Sequence, residues 1–423
     1  MRIAIWGNEL IAWTAAAAFA EFGNQVHMNQ DVNVKQSFSD QADTSRFLYN
    51  EPGLLAQVKR HYDQNRLICG QPDDALTCAV HILALSPDQF EQGKYLVTYL
   101  VSHAQQAEVI VNYSTFGLGS SEALSELLND TQQLLYIPDS LSEGQAYESF
   151  TQPKTLIIGS KDKLQNERIQ ALYKPFSAQL EQLLLVELRE AEFIKFAVNG
   201  MLAMRLGYIN ELANLADNFQ IDIDTVVTGM GSDPRIGKHY LSPGCGFGGA
   251  HFSQTIEHMA GLLKANRNSI ILDTLLQENN KQKTRPFRKL WQHFQTDIKD
   301  KKIAVWGLAF KPNTASIQNA PSIRVIETLL AQGCQVKAHD PQALLNFSKR
   351  IPADGRISYF DNALDAVQNA DALLVLTEWN EYWSPDFEMM RDSMNTPLII
   401  DGRNIYDKEY LTGLGFTYYG MGR

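Results

Sequence analysis

Lys195 and Asn199 stand four residues apart in the apolar run Glu192-Phe-Ile-Lys-Phe-Ala-Val-Asn199. That spacing puts an ammonium and an amide on one face of a helix. A solvated helix face could carry both, but the flanking apolar pattern buries this helix on most sides. His251 follows the glycine-rich run Pro243-Gly-Cys-Gly-Phe-Gly-Gly249 and adds an imidazole able to act as a general base. Together these residue types suit acid–base chemistry. Thiol or metal chemistry has weaker support. Cys69, Cys78, Cys245 and Cys334 are scattered without the spacing of a disulfide framework or a zinc site. His251 and His258 would lie two helical turns apart, about 10 Å, too far to share one ion with His239. No metal is expected.

A second constellation opens the chain. Arg2-Ile-Ala-Ile-Trp6 reads as a buried strand, followed by the turn Gly7-Asn8-Glu9-Leu10-Ile11-Ala12 and an alanine-rich helix, Ala12 to Phe22. A dinucleotide-binding turn needs glycines for the tight bend, for backbone approach to the pyrophosphate and for helix–strand packing. Gly7 meets the first need and Ala12 is tolerable for the third. Glu9 stands at the second, with bulk and negative charge where a dianion would lie. Asp31, one residue beyond the expected acid position at Gln30, would turn to the opposite face of a strand. Ser86, just after another strand candidate, completes the cofactor-side positions: Gly7, Glu9, Ala12, Asp31 and Ser86.

The elements that must position these residues alternate between strand and helix. Strands are expected at Arg2 to Trp6, Gln25 to Asn29, Val80 to Leu85, Val109 to Tyr113, Leu134 to Ile137 and Thr155 to Ile158. From about Ser177 to Phe219 the pattern turns to long helix. Helices continue from about Asp224, break at 241–249, and resume from about Phe252 to Phe294. After the polar linker Gln295 to Lys302, a second strand–turn–helix series begins. Val336 to Ala338, Ala372 to Thr377 and Pro397 to Asp401 supply its further strands. Ile303-Ala-Val-Trp-Gly307 nearly copies Ile3-Ala-Ile-Trp-Gly7 at the head of each block. The expected fold class is α/β, with two Rossmann-like doubly wound parallel-sheet domains joined by a long central helix. The expected boundaries are 1–185, 186–295 for a helical dimerisation domain, and 296–423.

The 423 residues carry 37 Lys plus Arg against 48 Asp plus Glu, a net charge of −11, with no basic run to offset it. That balance excludes nucleic acid and anionic membranes as partners. No stretch approaches the roughly 20 apolar residues of a membrane helix, and no signal sequence heads the chain, so a cytoplasmic protein is expected.

Several segments, in order along nearly the whole chain, resemble the UDP-glucose/GDP-mannose dehydrogenase family. They are Glu51-Pro-Gly-Leu54, Ser114-Thr115, Pro138-Asp-Ser-Leu-Ser-Glu-Gly144, Glu192 to Asn199, Asp233-Pro-Arg-Ile-Gly237, Pro243 to Gly249, Gly307-Leu-Ala-Phe-Lys-Pro-Asn-Thr314, Asp401-Gly-Arg-Asn404 and Gly415 to Gly422. The resemblance implies oxidation of a sugar nucleotide at C6 to a carboxylate, in two hydride transfers to NAD through a cysteine-bound thiohemiacetal. It implies NAD on the N-terminal domain and the nucleotide on the C-terminal one. Lys195 and Asn199 would position a water and stabilise developing oxyanions, with Thr115 and Glu143 beside them and Asp139 in place of a glutamate. The loop from Tyr240 through Phe247, Gly248 and Gly249 would clamp the nucleotide. Lys311 and Arg403 would contact it, and Arg235 would reach a partner subunit's substrate.

This chain departs from the pattern at the cofactor and the nucleophile. Where the family reads Cys-Phe-Pro-Lys-Asp, it reads His251-Phe-Ser-Gln-Thr255. Imidazole is no equivalent of a thiolate for forming an acyl-enzyme. The arginine implied near the cofactor is Gln318, and the acids before it are Ala315 and Ser316. The nucleotide-sugar positions are intact. Tight core turns would explain the glycines, but they explain Lys311, Arg235 and Arg403 poorly. The expectation is a pseudoenzyme that binds a UDP- or GDP-sugar and serves a polysaccharide or glycoconjugate pathway. NAD binding is doubtful, and the expected partner is a second copy or an active paralogue. The alternatives are an active NAD-dependent 6-dehydrogenase, or an altered two-electron or non-redox enzyme on the same substrates.

Overall fold

The computed structural model describes residues 1–29, 51–70, 72–104, 106–139, 141–161 and 167–423. Asp31 and Gln30 lie outside the described residues. The chain packs as two compact units, Met1–Ala197 and Val198–Arg423.

The first unit holds an eight-stranded sheet. Its strands are β1 (Arg2–Trp6), β2 (Gln25–Asn29), β3 (Leu67–Gly70), β4 (Val80–Leu83), β5 (Val109–Asn112), β6 (Gln133–Tyr136), β7 (Thr155–Ser160) and β8 (Gln182–Val186), in the order β3-β2-β1-β4-β5-β6-β7-β8. Every described pairing is parallel except β6 with β7. Strands of such a sheet are covered on both faces, which is why β1, β4 and β5 are mostly apolar and why β4 and β5 are buried throughout, His81 and Asn112 included. Helix α1 (Leu10–Glu21) is buried from Leu10 to Ala20, because its alanines let it lie close against the sheet. Trp6 at the end of β1 donates from Nε1 to Nδ1 of His81 at 3.0 Å, leaving Nε2 of His81 to donate to the Cys78 carbonyl at 3.0 Å.

In the second unit the sheet has six strands: β9 (Lys302–Trp306), β10 (Gln335–His339), β11 (Ile357–Phe360), β12 (Ala372–Val375), β13 (Leu398–Asp401) and β14 (Thr417–Tyr419). Their order, β11-β10-β9-β12-β13-β14, is that of a doubly wound dinucleotide fold, and all pairs are parallel. β9 sits at its centre as β1 does in the first sheet, so the Trp-Gly repeat in the sequence marks equivalent positions. The structure confirms two parallel-dominated α/β sheets and a long helix, α2 (Leu188–Phe219).

Two element expectations need correction. The long helix was expected from Ser177, but Ser177 lies in a 3-10 turn, Lys174–Gln179, and β8 intervenes. Gln-Leu-Leu-Leu-Val is apolar enough for either state, and pairing of all of β8 with β7 from Thr155 to Gly159 settles it as strand. The helical stretch from Phe252 to Phe294 is three helices: α4 (Ala250–Arg267), α5 (Ile271–Gln282) and α6 (Arg285–His293). They follow α3 (Ile223–Ser232). Asn268, left-handed at φ 51°, ends α4, and Pro286 in the first turn of α6 forces a new start. A last helix, α7 (Lys408–Gly413), precedes β14.

Candidate functional site

The first unit builds its turn around Gly7. Its φ is +133°, and a Cβ there would lie 1.9 Å from the Ala84 carbonyl oxygen, so only glycine lets β1 pass β4 this closely. Ala12 is fully buried in the first turn of α1 and serves the packing role of a third glycine. Glu9 is the N-cap residue of α1. Its side chain does not cap the helix. Instead Oε1 accepts a 2.5 Å hydrogen bond from the Ser86 hydroxyl, and the Ser86 amide is bound to Gln89 at 3.0 Å. Two of the cofactor-side positions are therefore joined to each other. Together they hold a carboxylate at a helix start, where amides and the helix dipole favour an anion. Gly7 and Ala12 meet the packing needs of a dinucleotide turn, and Glu9 puts a carboxylate at its second glycine position.

Also in the first unit, Lys195 of α2 donates from Nζ to the Asp139 carbonyl. The Asp139 carboxylate accepts the Leu141 amide at 2.8 Å, which shapes the loop after β6. Thr115 is half-buried and hydrogen-bonds the Tyr136 hydroxyl, whose pKa is raised first by burial and then by the Glu192 charge. Thr115, Asp139 and Lys195 are thus gathered around the end of β6. Glu143 lies half-buried in the following loop. Glu192 itself is a structural anchor, accepting from Gly119 N at 2.5 Å and from the Ser120 hydroxyl and Ser121 N. Asn199 lies one turn beyond Lys195 on α2, in the part of the helix that belongs to the second unit.

In that second unit the glycine-rich loop is pinned from two helices. Asn279 of α5 holds Phe247 by both backbone groups: its Oδ1 accepts Phe247 N at 2.9 Å and its Nδ2 donates to Phe247 O at 3.0 Å. Gln282 donates to Gly244 O at 2.6 Å, while Asn210 of α2 accepts Gly244 N at 2.8 Å. A Cβ on Gly248 would meet the Asn319 carbonyl at 2.6 Å, and one on Gly249 would meet the Phe310 ring at 3.0 Å. The loop therefore lies flat on the turn after β9, and Lys311 extends from that turn with Nζ 5.6 Å from the Phe310 ring centre. Arg403, at the end of β13, joins the same place. It donates to Leu376 O at 2.8 Å and Phe310 O at 3.3 Å, and its Nε lies 3.1 Å from Glu378. Tyr240 is half-exposed at φ 57° where the loop begins.

Arg235 is the outlier. Its side chain is 87% exposed and grips Asp233 of its own loop by Nε and Nη2 at 3.0 and 2.7 Å. Arg205 on α2 fixes that loop through the Ile236 and Gly237 carbonyls. His251 is the second residue of α4 and is half-buried; its carbonyl accepts the hydroxyl of buried Thr255 at 2.7 Å. Cys245 is fully buried, with Sγ toward Leu376 O at 3.7 Å, and burial pushes its thiol pKa up. It packs the loop and is no stand-in nucleophile.

Sequence reasoning missed Asn210, Asn279, Gln282 and Glu378. The run Glu278-Asn-Asn-Lys-Gln282 looks like any solvated helix face, and nothing in its spacing distinguishes the two side chains that grip a loop.

Comparison with known proteins identifies the family. Residues 1–177 match the NAD binding domain of the UDP-glucose/GDP-mannose dehydrogenase family, 189–281 its central domain and 304–408 its UDP binding domain. A UDP-glucose 6-dehydrogenase of Pseudomonas aeruginosa is 34% identical over 445 residues, spanning 100% of this chain and 98% of that protein. One from Rhizobium meliloti is 30% identical over 443 residues, spanning 100% of both. The solved UDP-glucose dehydrogenase of Pyrobaculum islandicum superposes with a TM-score of 0.81 at 23% identity, covering 96% of this chain and 94% of its own, a likeness of fold. The chain belongs to the UDP-glucose/GDP-mannose dehydrogenase family.

Proposed function

We propose that this chain binds a nucleotide sugar, with UDP-glucose the first candidate from its relatives, and does not perform the NAD-dependent four-electron oxidation. It would serve polysaccharide or glycoconjugate synthesis by binding rather than turnover. The observation that carries the reading is the Glu9 carboxylate, fastened by Ser86 at the start of α1. A dinucleotide's pyrophosphate would have to share that position, and like charges brought together at an interface cost several kcal/mol, about a hundredfold or more in affinity. His251 supports the same conclusion on the chemical side, because it cannot supply the thiolate on which a thiohemiacetal depends.

The nucleotide side is favourable. Phe247 would pack on the ligand, Gly248 and Gly249 would admit it to the backbone, and Lys311 and Arg403 would meet its phosphates. Lys195, Asn199, Thr115 and Glu143 keep the polar character that the family resemblance implies for them. We assign these tasks to the three stretches 1–185, 186–295 and 296–423. We further propose a homodimer formed along α2, in which exposed Arg235 leaves Asp233 to reach the partner's ligand.

Calorimetric titration of the full chain with UDP-glucose, GDP-mannose and NAD tests the proposal. Micromolar binding of one sugar nucleotide, with NAD at least about a hundredfold weaker, is the expected result. Micromolar NAD affinity, or NADH formation with either sugar nucleotide, would overturn it.

A further inference from the structure

A cavity of about 1260 Å³ opens within the second unit, and none of Tyr240, Phe247, Lys311 and Arg403 lines it. One wall is a face of α6, where Arg285, Lys289 and His293 recur at one-turn spacing. Lys408 of α7 and Tyr419 of β14 also line it. Asp217, in the last turn of α2, is their shared counter-ion. Its Oδ2 takes Lys289 Nζ at 2.7 Å and Arg285 Nη2 at 3.1 Å, and its Oδ1 takes the Gly422 amide at 3.1 Å.

The ion pairing at the floor is concentrated on that one carboxylate. Two cations share one carboxylate oxygen, and Lys408 is near enough to act on them. Burial pushes the pKa of Lys289 down, and Arg285 and Lys408 add to that push against the pull of Asp217. Nε of Arg285 has no hydrogen-bond partner. Asp222, Asp407 and Glu409 also line the cavity, but the ion pairs of Arg285 and Lys289 among the described residues go to Asp217. Asp222 and Asp407 cap α3 and α7 by accepting Asp224 N and Tyr410 N, and Glu409 is on the exposed edge. Arg423 is already held by Asp224 and by the Asn404 and Tyr406 carbonyls.

We propose that this cavity is a second anion site, separate from the nucleotide clamp, that takes the phosphate of a phosphorylated small molecule between Arg285, Lys289 and Lys408. A dianion would pair with Lys408 and with the cations that share the single Asp217 oxygen. The volume exceeds the roughly 300–1000 Å³ of ordinary ligand pockets, so an organic group fits behind the phosphate, against the rings of His293 and Tyr419. These rings meet edge-on with centroids 5.7 Å apart.

Calorimetry with pyrophosphate on the full chain tests this with Lys311→Ala, which weakens the clamp, and with Lys311→Ala/Lys408→Glu. Lys408 is exposed, and an unchanged melting temperature shows that its substitution leaves the fold intact. Lys311→Ala should still bind pyrophosphate, and adding Lys408→Glu should weaken that binding at least about tenfold, with the difference shrinking as salt screens it. Equal affinity in the two variants, or no binding by Lys311→Ala up to about 10 mM pyrophosphate, would overturn the proposal.

Discussion

On the proposed reading, the Glu9 side chain is what keeps a turn with the right backbone from accepting a dinucleotide's phosphates. The residue's own φ of −73° and ψ of 167° suit any amino acid, so replacing it does not strain the turn. Glu9→Gly should raise NAD affinity at least about tenfold, and Glu9→Gln, which removes the charge but keeps the bulk, should fall between the two. Calorimetric titration with NAD reads both; no gain in either variant would show that the block lies elsewhere.

His81 provides a second residue-scale prediction. Burial holds its pKa down at about 4, against an ordinary value of 6.5. The unfolded chain therefore takes up this proton before the folded one does. The neutral ring's contribution is complete above pH 6.5 and is lost as pH falls from there toward 4, about 3 kcal/mol in all. Melting temperature should fall between pH 7 and pH 5, and His81→Asn should flatten that slope while lowering stability at pH 7.

Among the elements, the loop 243–249 depends on α5 more than on its own glycines. The glycines let it lie flat, but the paired hydrogen bonds from Asn279 decide where the Phe247 backbone stays. Asn279→Ala leaves a buried amide and carbonyl unpaired, a cost of about 1–3 kcal/mol in stability. It should also weaken UDP-glucose binding about tenfold by freeing Phe247, and calorimetry beside thermal melting measures both.

This is also the scale at which the sequence was only partly legible. Gly7 and Gly307 could be read as turns because each ends a short apolar strand, and the structure shows why neither tolerates a Cβ: Ala84 and Thr377 approach within 1.9 and 2.5 Å. β8 could not be read, because three consecutive leucines carry neither a two-residue nor a 3.6-residue period. The hydrogen bond from Ser86 to Glu9 joins residues 77 apart and has no local signature.

For the whole molecule, the two strand–turn–helix blocks were legible from the Trp-Gly repeat, while the grip of α5 on the glycine-rich loop was not. α2 carries a further whole-molecule message. Val198, Met201, Tyr208, Leu215 and Phe219 are all half-exposed or more, and Met201, Tyr208 and Leu215 recur every seven residues. With Leu212 they form the three-and-four spacing of a helix seam. Leu215→Arg should convert the proposed dimer to a monomer in sedimentation velocity, while an unchanged sedimentation coefficient would remove α2 as the contact.

The second sheet holds a counterpart to the Glu9 carboxylate. Asp340, at the end of β10, is buried, and its Oδ2 accepts Leu308 N at 2.7 Å, Ala309 N at 3.0 Å and Trp379 Nε1 at 3.0 Å, so it occupies the amides of the turn after Gly307. The acid that could hold a ribose at the tip of the second strand is committed to the chain's own backbone. The turn after Gly307 is therefore closed to a dinucleotide's pyrophosphate. On the proposed reading, Glu9→Gly should restore a dinucleotide site in the first sheet and leave none in the second.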